Sequence, residues 1–134
     1  MPSINEIVKQ WSDYSDRISI QVRTIAIGTL ATSWGLIIGN TTITYQIRTS
    51  FKNELIMICI TSILILFFDF LQYVFGYWNL KALLKELEST GKKEGEYQYD
   101  LFYWFSYFFF WAKQISTACC VILLVAILWR ALMR

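Results

Sequence analysis

At 134 residues, with 56% of them hydrophobic and 16% charged, the chain is richer in apolar side chains than soluble domains, which carry about 45–50% and ~25%. It contains no histidine, which removes the commonest general base and metal ligand, and its net charge of +2 excludes a nucleic-acid surface of the bulk basic kind. Three stretches are long enough to cross a bilayer, whose ~30 Å core needs about 20 apolar residues in a helix. Arg23 to Arg48 encloses 24 uncharged residues, Glu54 to Lys81 encloses 26 broken only by Asp69, and Asp100 to Arg130 encloses 29 broken only by Lys113.

The first 22 residues have no continuous apolar core, so no cleavable signal peptide is expected. Ile4, Ile7, Val8, Trp11, Tyr14, Ile18 and Val22 recur at steps of three and four, the period of an amphipathic helix. Ser3 and Glu6 form a capping box. With no breaker before the first apolar stretch, one helix is predicted over 3–40, spanning at 24–40. Within it Gln21, Thr24, Gly28, Thr32, Gly35 and Gly39 fall on one small or polar stripe, the kind of surface that lets membrane helices approach closely. Gly28, Thr32, Gly35 and Gly39 are therefore the expected helix-packing residues.

Helix 2 is predicted over 52–90, spanning at 55–78. Ser62, Asp69, Gln72, Gly76 and Asn79 lie on its polar face and are the candidate pore or gate residues. Beyond the span, Leu80, Leu83, Leu84 and Leu87 make an apolar edge on a charged extension, and Gly91 suits the C-terminal cap. The loop KKEGE then turns the chain into helix 3, predicted over 97–133 and spanning at 113–130. Eleven aromatics crowd residues 97–111, an expected interfacial belt, which the N-terminal helix and the leucine edge would also cover. Ser106, Lys113, Thr117 and Cys120 form a third polar stripe. Cys59, Cys119 and Cys120 sit in apolar runs, where cysteine usually serves as a small packing residue.

The fold expected is an all-α membrane protein: one domain of three long antiparallel transmembrane helices with cytoplasmic extensions, assembled as a homo-oligomer, with four copies as the starting number. Eight basic residues on the N-terminal side of the spans against four on the other place the N-terminus in the cytoplasm, in a bacterial inner membrane. Arg23 precedes Asn40 by 17 positions, Asp69 follows Lys52 by 17, and Lys113 precedes Arg130 by 17. Each therefore lies about 25 Å from the outer boundary at 1.5 Å per residue. Mutual pairing of Arg23, Asp69 and Lys113 at that depth is the economical arrangement, because isolated charges are costly in lipid.

Motifs for phosphate-loop, zincin or nucleophile-elbow chemistry are missing from the sequence, as is a second carboxylate beside Asp69 in its apolar stretch. No catalytic residue, cofactor or metal is expected. Two functional classes remain open. One is a cytoplasmically gated ion channel or membrane-disrupting effector, by analogy of architecture with small bacterial defence effectors of antiviral systems. Its partners would be lipid, further copies of itself, and a cytoplasmic ligand or protein acting on the helical stalk. The other is a non-conducting protein, such as a bacteriocin or toxin immunity protein or an accessory subunit.

Overall fold

The computed structural model describes residues 4–91 and 101–134, and leaves aside the side chains of residues 4, 5, 7, 8, 11, 87, 90 and 102. It contains three helices: α1 (Ile4–Ile38), α2 (Thr42–Thr90) and α3 (Leu101–Leu132). The Ser3 cap, the KKEGE turn and the first residues assigned to helix 3 lie outside the described residues. Four cross-links fix an up–down–up bundle. Arg23 meets Asp69 and Thr29 meets Ser62, so α1 and α2 are antiparallel. Lys113 meets Asp69 and Arg134 meets Ser50, so α2 and α3 are antiparallel as well. Helix α1 leans mainly on α2 and only lightly on α3.

The first connection is tighter than the sequence suggests. Helix α1 stops at Ile38, and α2 begins at Thr42, ten residues before its expected start. The reason is local: Thr41 is extended (φ −80°, ψ 158°) and its side chain accepts from the Thr44 amide at 3.2 Å, a threonine N-cap. Arg48 then donates to the Ile37 carbonyl at 3.0 Å, supplying from α2 the cation that the last turn of α1 lacks. The helix is interrupted at Phe51 (φ −131°, ψ 28°). No proline or glycine causes this break. Phe51 itself turns into the core, and Arg134 stacks over its ring at 5.6 Å while donating to Ser50 at 3.1 Å. Gly91 ends α2 in the left-handed region (φ 62°), as a glycine cap should.

Helices α2 and α3 are both long and apolar enough to cross a membrane. Their packing is inverted relative to a soluble bundle. The apolar core is small, centred on Val22, Ala26, Ile47, Phe51, Leu55, Ile58, Ile65, Cys120 and Ile127. Ile, Leu, Phe and Trp side chains cover the outside along both helices, for example Ile63, Phe67, Phe70, Ile122 and Val125, each more than half exposed. Buried with the core are instead Ser19, Thr29, Ser33, Ser62, Asp69, Asn79, Lys113 and Thr117. The aromatic segment of α3 packs on α2: Phe109 lies 5.5 Å from Phe68 and 5.8 Å from Phe75, and Phe105 lies 5.3 Å from Phe75. Leu80 and Leu84 of the leucine edge remain more than half exposed.

The turn depends on one glycine. A Cβ on Gly39 would meet Thr44 Cγ2 at 2.8 Å and the Gly35 carbonyl oxygen at 2.9 Å. Gly39→Ala should therefore destabilise the hairpin by about 1–3 kcal/mol, as overpacking does. Thermal unfolding of the purified variant, followed by loss of helical circular dichroism, checks this against the unmodified chain.

A candidate charge cluster in a polar seam

Asp69 sits in the middle of α2, facing both other helices. Its Oδ2 accepts two hydrogen bonds from Arg23 of α1, from Nε at 3.0 Å and from Nη2 at 2.7 Å. Its Oδ1 accepts from Lys113 Nζ of α3 at 2.5 Å. The same ammonium donates to Ser19 Oγ at 2.6 Å and lies 5.5 Å from the Phe110 ring and 6.0 Å from that of Tyr73. One carboxylate thus ties three helices at a single level. The three side chains that the depth count groups are in direct contact.

Their exposure is unequal. Lys113 is fully enclosed and Asp69 nearly so, with side chains 0% and 4% exposed, whereas that of Arg23 is 46% exposed. Lys113 therefore does not snorkel outward along its stem; it spends its length reaching Asp69 across the interior. Removing water from a carboxylate and an ammonium costs several kcal/mol per ion, and short charge-assisted contacts offset that only when the geometry is this close.

The cluster belongs to a longer seam. Thr29 and Ser62 share a hydrogen bond at 3.0 Å, and Thr117 donates to the Lys113 carbonyl at 2.6 Å. Ser106 approaches the Gln72 carbonyl at 3.5 Å, and Gly76 faces Ser106, whose Oγ a Cβ there would meet at 3.9 Å. Asn79 is buried at the stalk end. Among the described residues, Ser33 Oγ, Gln72 Oε1 and Gln114 Nε2 are buried with no partner in the chain. Each such group costs about 1–3 kcal/mol. The seam is held closed by the charge cluster rather than by complete polar satisfaction. A groove of 430 Å³ beside it, lined by Gln21, Val22, Gln114 and Thr117, marks the loose contact between α1 and α3.

Two predicted groups differ in placement. The candidate pore residues Asp69, Ser62, Gln72, Gly76 and Asn79 are turned into the bundle of one chain, half-buried or buried. The reason is the cluster itself, which pulls that face of α2 onto Arg23 and Lys113. Gly28, Thr32 and Gly35 pack against no helix of the subunit: a Cβ on either glycine would meet nothing within 4 Å, and Thr32 bonds only back to the Gly28 carbonyl at 2.8 Å. Gly39 alone of that group makes a close approach, to the turn. Helix α1 instead buries Ser19, Val22, Ala26, Thr29 and Ser33. Those residues also recur at helical steps, so two small-residue faces compete on α1. The partner of Ser19 and the ring of Tyr73 under Arg23, at 5.9 Å, escape sequence reasoning because neither residue type is unusual at its position.

Comparison with protein-family models, with curated proteins and with solved structures finds no match for this chain.

Asp69→Asn removes the one anion and leaves two buried or half-buried cations facing each other. It should destabilise the bundle by about 3–5 kcal/mol. Thermal unfolding in a fixed detergent reads this directly, and an unchanged midpoint contradicts the assigned role.

Proposed function

We propose that this chain is a three-span integral membrane protein of a bacterial inner membrane that self-associates and acts as a cytoplasmically gated ion channel or membrane-disrupting effector. The observation that carries the reading is the seam: Ser33, Thr29, Ser62, Thr117, Lys113, Asp69, Gln72 and Asn79 run through a bundle whose outside is apolar. Lipid dictates that arrangement, since an apolar surface facing acyl chains costs nothing and polar groups must find partners inside. In the closed subunit the seam is tied across all three helices at Asp69. Opening it converts buried hydroxyls, amides and charges into the wall of a wet path.

The stalk is where a trigger acts. Helix α2 runs from Thr42 to Thr90, and at 1.5 Å per residue its length far exceeds a ~30 Å core. The part beyond Asp69 carries exposed Leu80 and Leu84 beside exposed Lys81 and Lys85, so a cytoplasmic ligand or protein that moves it acts on Asn79, Gln72 and Asp69 through a continuous helix. Self-association has its own surface in the outward stripe of Thr24, Gly28, Thr32 and Gly35, which allows close helix contact in lipid. Closed cyclic assemblies are the usual result for identical subunits.

The non-conducting reading, an immunity protein or accessory subunit, draws on a different observation. The same outward stripe accepts a helix of another protein equally well, and Arg23, Asp69 and Lys113 meet without residues of a second copy.

Two measurements test the proposal. Purified protein should run as a discrete oligomer by native mass spectrometry and pass ions in planar bilayers, and Gly35→Leu should abolish both while leaving the melting of the subunit within about 1 kcal/mol, as for an exposed site. A silent monomer shifts the assignment to the non-conducting class. Single cysteines placed at Lys85 and at Lys52 should label from opposite sides of the membrane; labelling from one side contradicts three spans.

A further inference from the structure

The charge cluster does not balance. Arg23 and Lys113 carry two positive charges against the single carboxylate of Asp69, and both oxygens of that carboxylate are occupied. Among the described residues, no other carboxylate lies close enough along its helix to make up the difference. On α2 the neighbouring carboxylates are Glu54 and Glu86, 15 and 17 positions from Asp69, which is over ~20 Å of helix. Asp16 on α1 lies seven positions from Arg23, about 10 Å away, and the described α3 contains no acidic residue.

The surplus charge is accessible at one place. Lys113 is enclosed by Asp69, Ser19 and two rings. Arg23 commits Nε and Nη2 to Asp69, Nη1 takes no part in those bonds, and the side chain as a whole is half-exposed. A guanidinium has five N–H donors in a planar fork suited to phosphate. Tyr73, 44% exposed, lies under it and offers a phenol beside the same surface. Around them Ile20, Ile27 and Phe70 are each more than half exposed, an apolar wall for acyl chains.

We propose that Arg23, with Tyr73, binds the phosphate of an anionic phospholipid from the leaflet on the stalk side, and that this lipid is the missing counter-ion of the cluster. The proposal rests on the membrane reading but not on conduction. The depth fits: at about 25 Å from the far edge of a ~30 Å core, an arginine stem reaches the phosphate plane. An anionic headgroup is specified because a zwitterionic one brings its own cation, and the cluster's surplus stays unmatched.

The test uses the full chain in a neutral detergent, titrated with dioleoyl phosphatidylglycerol, dioleoyl phosphatidylcholine or sodium phosphate, with bound lipid per subunit read by native mass spectrometry. Phosphatidylglycerol should bind as one tight equivalent, about fivefold tighter than phosphatidylcholine, the worth of one interfacial charge. Arg23→Gln should erase the preference, and Arg17→Gln, which removes an exposed charge elsewhere on α1, should keep it. Because Arg23→Gln also loosens the cluster, Ile20→Glu is the second variant; it leaves the triad intact, sets a carboxylate one turn from Arg23, and should erase the preference too. Equal binding of the two lipids by the native chain, or a preference surviving in Ile20→Glu, overturns the proposal. Displacement of the lipid by inorganic phosphate at equal concentration overturns it as well, by making a soluble anion the ligand. A monomer that conducts nothing yet prefers phosphatidylglycerol upholds this site and ends the channel reading; a conducting oligomer without preference does the reverse.

Discussion

Asp69 is the constraint on which the bundle depends. It meets Arg23 from α1 and Lys113 from α3 through its two oxygens, and Lys113 returns to α1 through Ser19. In an apolar surrounding the cost of separating these groups rises steeply, because the attraction between opposite charges scales inversely with the local dielectric. That one contact sets which face of each helix turns inward. With Asp69 fixed, Ser62 lies two helical turns along the same side of α2 and meets Thr29, while Gln72 and Gly76 come opposite Ser106.

The inward placement of polar residues has an energetic corollary. Helices in lipid gain little by hiding leucine from one another, so packing, hydrogen bonds and charges decide their arrangement. Small residues at Ala26, Thr29, Ser33 and Ser62, all buried, let α1 and α2 approach, and the aromatic rings of Phe68, Phe75 and Phe109 pack between α2 and α3. The unsatisfied Gln72, Gln114 and Ser33 atoms lower the cost of rearrangement. The charge cluster is then the strongest tie holding the seam together.

Much of this was legible in the sequence because helix geometry imposes a length scale. Equal offsets of 17 positions from Asn40, Lys52 and Arg130 bring Arg23, Asp69 and Lys113 to one level whatever the rotation of each helix. Rotation is harder to read. Helix α1 carries two small-residue stripes, one through Gly28, Thr32 and Gly35 and one through Ser19, Ala26, Thr29 and Ser33, and nothing in their composition says which is buried; Lys113 decides it by binding Ser19. The start of α2 was hidden for another reason. Its N-cap uses Thr41 rather than a stronger signal, and the break at Phe51, a buried residue with Arg134 over its ring, has no proline or glycine to announce it.

A double-mutant cycle tests the central claim most directly. Asp69→Leu, Lys113→Met and the pair together would be unfolded thermally in one detergent, giving a coupling energy free of the effect of either change alone. If Asp69 and Lys113 form the tie that organises the bundle, Asp69→Leu alone strands a buried ammonium, and the double variant, with apolar side chains in both places, recovers most of the loss, for a coupling of about 2–3 kcal/mol. Losses that simply add would mean that the two residues act independently, and the account of the bundle would fail.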